Sequence, residues 1–345
     1  MRPLLDALTG DAEIAGFFAP EAEIQAILRF EVALAQATAE AGLIEPAAAA
    51  AIESAVATFV ADGDRLSAGL RRDGVIVPEL VRQVRAAIGD PHGVALHLGA
   101  TSQDAIDTGL MLRLSGILDV LGKRLDRLID VVDAAKRTDG RKSLMAHTRM
   151  QAALPITVAD KLEGWSRPLV HHRERLADLK ADLAIQLGGP VGDGRGFGGK
   201  APEVRRHLAE RLGLADAAPW HTDRTRILDA GQGFALLTGT LGKVGQDIAS
   251  MAERGAVTLS GGGTSSAMAH KNNPVGAELL VAIGRLNAGL MGALHQSMIH
   301  ENERSGAAWT LEWMILPQMA EAAGAVLNRA ATLLKGARLG QQASP

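Results

Sequence analysis

The sequence predicts an all-α protein built around a central bundle of five long helices. Apolar residues recur at alternating steps of three and four, as at Leu114, Leu118, Leu121 and Leu125, and this spacing places them on one face of a helix. Tyrosine is absent and aromatic residues make up only 3% of the chain, which suits close packing by alanine and leucine. Segments with the period of two that marks half-buried strands are almost absent.

The apolar faces locate the individual helices. We predict the five long helices at 102–132, 162–183, 234–251, 274–299 and 307–335, and shorter helices at 21–42, 46–61, 78–88 and 203–213. Glycine and proline in the GDPHG turn at 89–93 suggest a domain boundary. We therefore expect an N-terminal helical domain over 1–98, the long-helix bundle with the functional loops over 99–335, and a short polar tail over 336–345.

Composition and charge disfavour several classes of function. The net charge is −3 with both signs interspersed, whereas proteins that bind nucleic acid are usually basic. Cysteine is absent, which excludes disulfides and thiolate zinc sites, and the histidines lack metal-ligand spacing. We expect no metal and no cofactor. We find no signal peptide and no uninterrupted apolar run of about 18 residues, so we expect a cytoplasmic protein that does not enter a membrane.

The strongest functional signal is the segment 258–278, TLSGGGTSSAMAHKNNPVGAE. Its glycines precede Ser265, and Lys271 follows six residues later. Asn273 stands where an N-cap belongs and Pro274 where the first helical residue belongs. A hydroxyl-bearing loop that ends on a helix N-terminus beside an ammonium can hold an anion and stabilise charge that develops on a carboxylate. A plain glycine–serine linker is the alternative, and the order of the polar side chains disfavours it.

Three other segments place polar side chains next to predicted long helices. HLGATSQD at 97–104 opens the first long helix, where Thr101 or Ser102 can cap the chain. HTRMQ at 147–151 precedes the second long helix, and HENERSG at 300–306 joins the fourth and fifth. Taken alone, these segments have ordinary explanations as an N-cap, a polar helix start and a solvated turn.

Taken together and in this order, the segments resemble the fumarase/aspartase superfamily. The matching pieces are GATSQDAIDT (99–108), HTRMQAALPIT (147–157) and SSAMAHKNNPVGAE (265–278), the last being the superfamily signature. The resemblance covers about residues 10–335. It implies a helical homotetramer with a twenty-helix core and active sites built by loops from three subunits. It also implies removal of a proton beside a carboxylate by way of an aci-carboxylate.

The resemblance further implies residue roles. Ser265 matches the catalytic base of the mobile loop, Lys271 matches the group that binds the substrate carboxylate and its aci form, and Glu278 matches an acid that often pairs with a catalytic histidine. The residues expected to contact substrate are Thr101, Ser102, Gln103, His147, Thr148, Arg149, Gln151, Ser266, Met268, Asn273, His300 and Arg304.

The chain also departs from the superfamily pattern. The usual Arg-Thr-His segment, whose histidine is a general acid, reads His147-Thr148-Arg149 here, and an arginine is a poor proton donor. This disfavours elimination of the adenylosuccinate or argininosuccinate type. The proline that usually follows the signature methionine is replaced by Ala269. We also expect the further C-terminal helical domain of many members to be missing.

Three features resemble a cycloisomerase branch of the superfamily: GATSQDAIDT, PWHT at 219–222 and HENERSGAAWTLEW at 300–313. This branch closes a tricarboxylate, 3-carboxy-cis,cis-muconate, to a lactone in the protocatechuate (β-ketoadipate) pathway. In that direction Ser265 would act as the acid and Lys271 would stabilise the aci-carboxylate. A fumarate-releasing lyase and a catalytically silent helical scaffold are the alternatives.

Overall fold

Helices dominate residues 3–264, 268 and 271–340, which the computed structural model describes. The helices within these residues are α1 (Pro3–Thr9), α2 (Ala12–Gly16), α3 (Pro20–Glu40), α4 (Pro46–Ala57), α5 (Gly63–Asp73), α6 (Val77–Ile88), α7 (Ser102–Asp139), α8 (Val158–Ala181), α9 (Ala201–Leu212), α10 (Thr225–Glu253), α11 (Val275–Gln296) and α12 (Gly306–Gly336). Short 3-10 turns lie at His92–Ala95 and Arg195–Lys200. The strands are β1 (Ser143–Thr148), β2 (Gln151–Thr157), β3 (Val257–Leu259), β4 (Gly263–Thr264), β5 (Asn272–Asn273) and β6 (Ala337–Leu339).

The five long helices α7, α8, α10, α11 and α12 form the predicted bundle. Their apolar faces meet in one core that buries Leu121, Trp165 and Leu241 completely or almost completely. Between α10 and α11 the backbones approach closely, because a Cβ atom added to Gly245 would lie only 2.6 Å from the Ala277 carbonyl oxygen. The prediction of an all-α bundle with five long helices is confirmed.

A second core joins the N-terminal helices to the beginning of α7. It contains Ile27 and Leu34 of α3, Leu80 of α6, Ile106 of α7 and Leu208 of α9. The N-terminal helices therefore hold the first turns of α7 in place, and these are the turns that carry the predicted substrate contacts.

Helix α11 has an apolar surface that the single chain leaves partly uncovered. Among the described residues it is the one helix long and apolar enough to cross a membrane. Leu280, Ile283 and Leu294 nevertheless lie in the bundle core, and fewer than half of the residues in the most apolar stretch are buried. Leu286 is 55% exposed. The exposed apolar face of α11 is suited to contact with another protein chain.

The segment around 147–151 is a β-hairpin rather than a polar helix start. β1 pairs antiparallel with β2, with Thr148 opposite Gln151. Arg149 and Met150 form the turn with φ angles of 48° and 68°. The expectation that strands would be almost absent is wrong here. Most of β2 is exposed, and a ribbon without a buried face carries no alternation of apolar and polar residues.

Helix boundaries also differ from the prediction. Helix α11 begins at Val275 with Pro274 in the cap position. Asn273 pairs with Gly263 between β5 and β4, so its prediction as the helix N-cap is wrong, because its backbone is already held in this strand pairing. Leu183 lies beyond the end of α8 at Ala181. Helix α5 was not predicted, since it buries few residues.

Candidate functional site

The predicted site residues that the structure describes lie at two opposite ends of the bundle. We call the region around Thr101, His221 and Arg304 the network end, and the hairpin 143–157 with the described residues of 258–278 the loop end. Helix α7 has 38 residues and runs from one end to the other, a length of about 57 Å at 1.5 Å per residue. Within one chain, the two groups of side chains therefore cannot contact the same small molecule.

Thr101, Gln103 and Arg304 lie together at the network end. Thr101 is the N-cap of α7, and its backbone N–H donates to Asp104 Oδ2 at 2.9 Å. Arg304 donates from Nε to Gln103 Oε1 at 2.9 Å and from Nη2 to Thr101 Oγ1 at 3.2 Å. Ser102 begins the helix and is half-buried. A guanidinium thus stands beside a helix N-terminus, an arrangement that attracts anions.

Below Arg304 lies a buried ionic network. Arg224 donates to Asp107 Oδ2 and to Glu312 Oε2, each at 2.6 Å, and all three side chains are 0% exposed. Although burial opposes it, the two carboxylates raise the pKa of the Arg224 guanidinium, which keeps it charged. Trp309 Nε1 and Gln103 Nε2 also donate to Asp107, at 3.0 and 3.1 Å. Gln103 thereby connects the network to Arg304.

Asp104 joins the start of α7 to the glycine-rich loop that follows α8. Its carboxylate accepts hydrogen bonds from Gly188 N at 2.9 Å, from Gly189 N at 2.8 Å and from Gln186 Nε2 at 3.1 Å. His221 Nε2 lies 3.0 Å from Asp104 Oδ1. These bonds compensate the buried carboxylate and fix the loop relative to Thr101.

His300 lies next to the same network. Its side chain is 0% exposed, and Nε2 is 3.4 Å from Glu312 Oε1. Neither ring nitrogen has a hydrogen-bond partner among the residues that the structure describes. A buried imidazole without a hydrogen bond is costly, so His300 is suited to accept a hydrogen-bond partner that enters from outside the chain.

Sequence reasoning did not identify this network. Asp104, Asp107 and Glu312 stand within the segments used for the resemblance, but none was proposed as a site residue, and Arg224 was not singled out at all. The available signal was two aspartates three positions apart at the start of a helix with an apolar face. Such a pair usually lies on a solvated surface, and the sequence alone does not show that it is buried.

The loop end exposes its polar side chains. Lys271 and Glu278 are exposed and Asn273 is half-buried. Lys271 N donates to Met268 O at 3.1 Å, and the Met268 side chain is 42% exposed. The predicted catalytic Ser265 and its neighbour Ser266 lie outside the described residues.

The hairpin forms one wall of a cationic cleft at the loop end. His147 and Arg149 line it from the hairpin, and Lys161 of α8 and Arg254 after α10 line it from the bundle. Asp247 pairs with Lys161 at 2.9 Å. The hairpin residues Thr148, Arg149 and Gln151 are exposed and His147 is half-buried. The surplus of cations in this cleft fits a carboxylate ligand.

Over 3–264, 268 and 271–340, no group of three or more histidine, aspartate or glutamate side chains is placed to hold a metal ion. At the two ends of the bundle, cations, hydroxyls and amides are arranged in ways that suit anion binding.

The helical bundle and these anion-binding groups are typical of the lyase class of enzymes, and comparison with known proteins identifies the same class. The family model described as Lyase matches residues 11–286, and the chain belongs to this lyase family, of the fumarase/aspartase type. The predicted superfamily membership is therefore confirmed.

Individual relatives are similar to this chain over most of its length. The chain is 35% identical to the 3-carboxy-cis,cis-muconate cycloisomerase of Pseudomonas aeruginosa, over 98% of this chain and 76% of that protein. It is 34% identical to the nitrosuccinate lyase of Streptomyces davaonensis, over 96% of this chain and 74% of that protein. The crystal structure of the 3-carboxy-cis,cis-muconate lactonizing enzyme from Pseudomonas putida matches with a TM-score of 0.89 and 35% identity, covering 98% of this chain and 77% of that one.

Proposed function

We propose that the protein is a cycloisomerase that converts 3-carboxy-cis,cis-muconate to 4-carboxymuconolactone. Several similar proteins carry this name. The observation that carries the proposal is the forked contact of Arg304 with Thr101 and Gln103 beside the N-terminus of α7. Together with Lys271 and Arg149 at the loop end, it supplies positive charge for a substrate with three carboxylates. The cytoplasmic location and the absence of a cofactor expected from the sequence belong to the same proposal.

The proposed reaction is an intramolecular addition. One substrate carboxylate oxygen bonds to a carbon of a C=C double bond, and the electron pair of that bond moves to the neighbouring carbon. This carbanion lies next to another carboxylate and is delocalised into it as an aci-carboxylate, which Lys271 stabilises with its ammonium. Ser265 donates a proton to the carbanion carbon and regains one from solvent. The lactone therefore carries one more proton than the ionised substrate.

Arg149 favours this reaction over fumarate release. Elimination needs an acid to protonate the departing group, and a guanidinium is almost always fully protonated and holds its proton firmly. Ring closure has no departing group, so the cation at Arg149 is useful as charge alone. The exposed position of Arg149 at the hairpin turn lets it reach a carboxylate at the edge of the site.

The proposed site is shared between chains of a homotetramer. Helix α12 begins beside Arg304 and ends at Gly336, whose carbonyl accepts from Ser260 N at 2.9 Å. Its 31 residues separate the two ends by about 46 Å. The network end of one chain therefore has to meet the loop ends of others. The exposed apolar residues Leu286 of α11 and Met314 of α12, 55% and 63% exposed, support such an assembly.

The proposal is tested by following the ultraviolet absorbance of 3-carboxy-cis,cis-muconate mixed with the purified protein. We expect rapid loss of the conjugated diene, and loss of this activity in Ser265→Ala. Ser260→Ala is the matched control, since the Ser260 hydroxyl donates to the Gly336 carbonyl at 3.0 Å at the base of the same loop. If the diene persists at high protein concentration, the proposal is wrong. Turnover of nitrosuccinate, adenylosuccinate or argininosuccinate would then identify a lyase.

A further inference from the structure

The segment that leads into Thr101 is held by two side chains of the N-terminal helices. His97 Nδ1 lies 2.6 Å from Glu31 Oε1 on α3. The preceding carbonyl, of Leu96, accepts from Arg85 Nη2 on α6 at 2.8 Å. The His97 side chain is 14% exposed and that of Glu31 is 2% exposed. Thr101, the first predicted substrate contact of α7, thus follows four residues after a buried contact with helix α3.

The conformation of His97 needs this support. Its φ angle is 62°, in the left-handed region that costs a residue with a Cβ atom about 1 kcal/mol or more. Such a conformation persists only where the surroundings enforce it. Glu31 Oε2 is buried and has no hydrogen-bond partner among the described residues. The contact with His97 is therefore the main compensation for a buried carboxylate, and it is far stronger when the imidazole is protonated.

Four influences act on the charge of His97. Burial lowers its pKa most strongly among the single causes, and Arg85 lowers it further. Glu31 and Asp104 raise it, and the net result is a pKa above the ordinary 6.5. A raised pKa means that the stabilisation from the charged pair is fully present below pH 6.5 and is lost as the pH rises through the higher value.

We propose that Glu31 and His97 are positioning residues whose charged contact fixes the segment 97–101 and thereby the orientation of Thr101. Neither side chain is required to touch the substrate. The proposal rests on the proposed function in one respect, because Thr101 and Arg304 are taken there to bind a substrate carboxylate. It adds a dependence of substrate binding on a pair of side chains that precede α7, one of them on helix α3.

Glu31→Gln is the informative variant, because glutamine keeps the shape and an acceptor oxygen but not the charge. The matched control is Glu40→Gln on the same helix, where Glu40 lies 3.0 Å from His207 at an exposed site. For Glu31→Gln we expect KM to rise about tenfold with a smaller change in kcat. We also expect the alkaline limb of kcat/KM to move to lower pH by about one unit. The control should match the wild type in both.

A second variant guards against simple misfolding. In His97→Asn the new residue tolerates the left-handed backbone but cannot titrate, so the alkaline limb assigned to His97 should disappear. If instead Glu31→Gln keeps the wild-type limb and KM, or His97→Asn keeps the limb, the pair does not position the site and the proposal is overturned.

Two measurements on the wild type and Glu31→Gln do not depend on turnover. NMR titration of the His97 imidazole should give a lower pKa in Glu31→Gln, and amide hydrogen exchange over 96–103 should become faster. If the wild type fails to consume the muconate, the proposed function falls while these measurements still decide the positioning role. Unchanged exchange and an unchanged His97 titration would overturn it.

Discussion

The two ends of the bundle differ in how their charged side chains are held. At the network end, Asp107, Arg224 and Glu312 are completely buried and bonded to one another. At the loop end, Lys271 and Glu278 stand exposed. A buried charge is tolerated only when its partners are fixed, so the network end is ordered by its own chain. The described side chains of Lys271 and Glu278 face solvent, so the loop end is suited to completion by other chains and by substrate.

This difference predicts which substitutions change stability and which change turnover. Substitutions in the buried network of Asp107, Arg224 and Glu312 should first weaken folding, because they leave buried charges without partners. Substitutions at the loop end should change turnover and leave folding nearly intact, because exposed side chains contribute little to stability. The following variants test this division.

Arg224→Met should have the largest effect. It leaves Asp107 and Glu312 buried and unpaired, and we expect a loss of about 3–5 kcal/mol in the free energy of unfolding. Urea denaturation measures this loss. Arg167→Met is the control, since Arg167 is 70% exposed and 3.7 Å from Glu163, and it should change stability by less than about 0.5 kcal/mol. A loss below about 1 kcal/mol for Arg224→Met would contradict the account.

Lys271→Met should abolish most activity without unfolding the protein. Loss of a cation at the developing aci-carboxylate is expected to lower kcat by about 100- to 1000-fold. The urea midpoint should stay close to that of the wild type. Lys335→Met, which removes an exposed lysine at the end of α12, serves as the control and should be fully active. Activity within a few-fold of wild type in Lys271→Met would remove Lys271 from the mechanism.

Arg304→Lys should weaken binding moderately. Lysine retains the charge but cannot make the two-pronged contact with Gln103 and Thr101. We expect KM to rise about tenfold, with kcat less affected. Steady-state kinetics check this, with Arg338→Lys at the opposite end of α12 as the comparison. An unchanged KM would show that Arg304 holds the loop and does not bind substrate.

Met150→Gly should have the smallest effect, and a favourable one. Glycine removes the steric strain of the left-handed backbone at φ 68°. Its greater conformational freedom in the unfolded chain offsets part of this stabilisation, so we expect the free energy of unfolding to rise by at most about 1 kcal/mol. Met145→Gly on the neighbouring strand, where no positive φ needs relief, should instead destabilise the hairpin. Thermal denaturation distinguishes the two, and destabilisation by Met150→Gly would mean that the Met150 side chain has packing partners in the assembled protein.

Much of the helical fold could be predicted from the sequence, because leucine and alanine repeats at steps of three and four specify both a helix and its buried face. The capping position of Thr101 could also be predicted, because helix capping depends on residues that are close in sequence. The hairpin could not, because the exposed β2 residues carry no alternation.

The site could be predicted only in part. The motifs identified Lys271, Arg304 and Thr101 as candidates. Spacing along the chain does not reveal that Lys271 lies at the opposite end of the bundle from the other two, separated by helices about 46–57 Å long. The network around Arg224 could not be predicted either, because burial of a charged side chain depends on elements distant in sequence. Asp107 and Glu312 meet Arg224 only after α7, α10 and α12 have packed together.

The central claim is that one functional site joins the loop end of one chain to the network end of another. It is tested by mixing Lys271→Met and Arg304→Met, two variants that we expect to be inactive because each removes a cation from the site, dissociating them and allowing them to reassemble. With random exchange, about one quarter of the sites would combine two intact ends. The account predicts recovery of activity toward that fraction in the mixture, whereas each variant treated alone stays inactive. A mixture that exchanges subunits and remains inactive would contradict the claim.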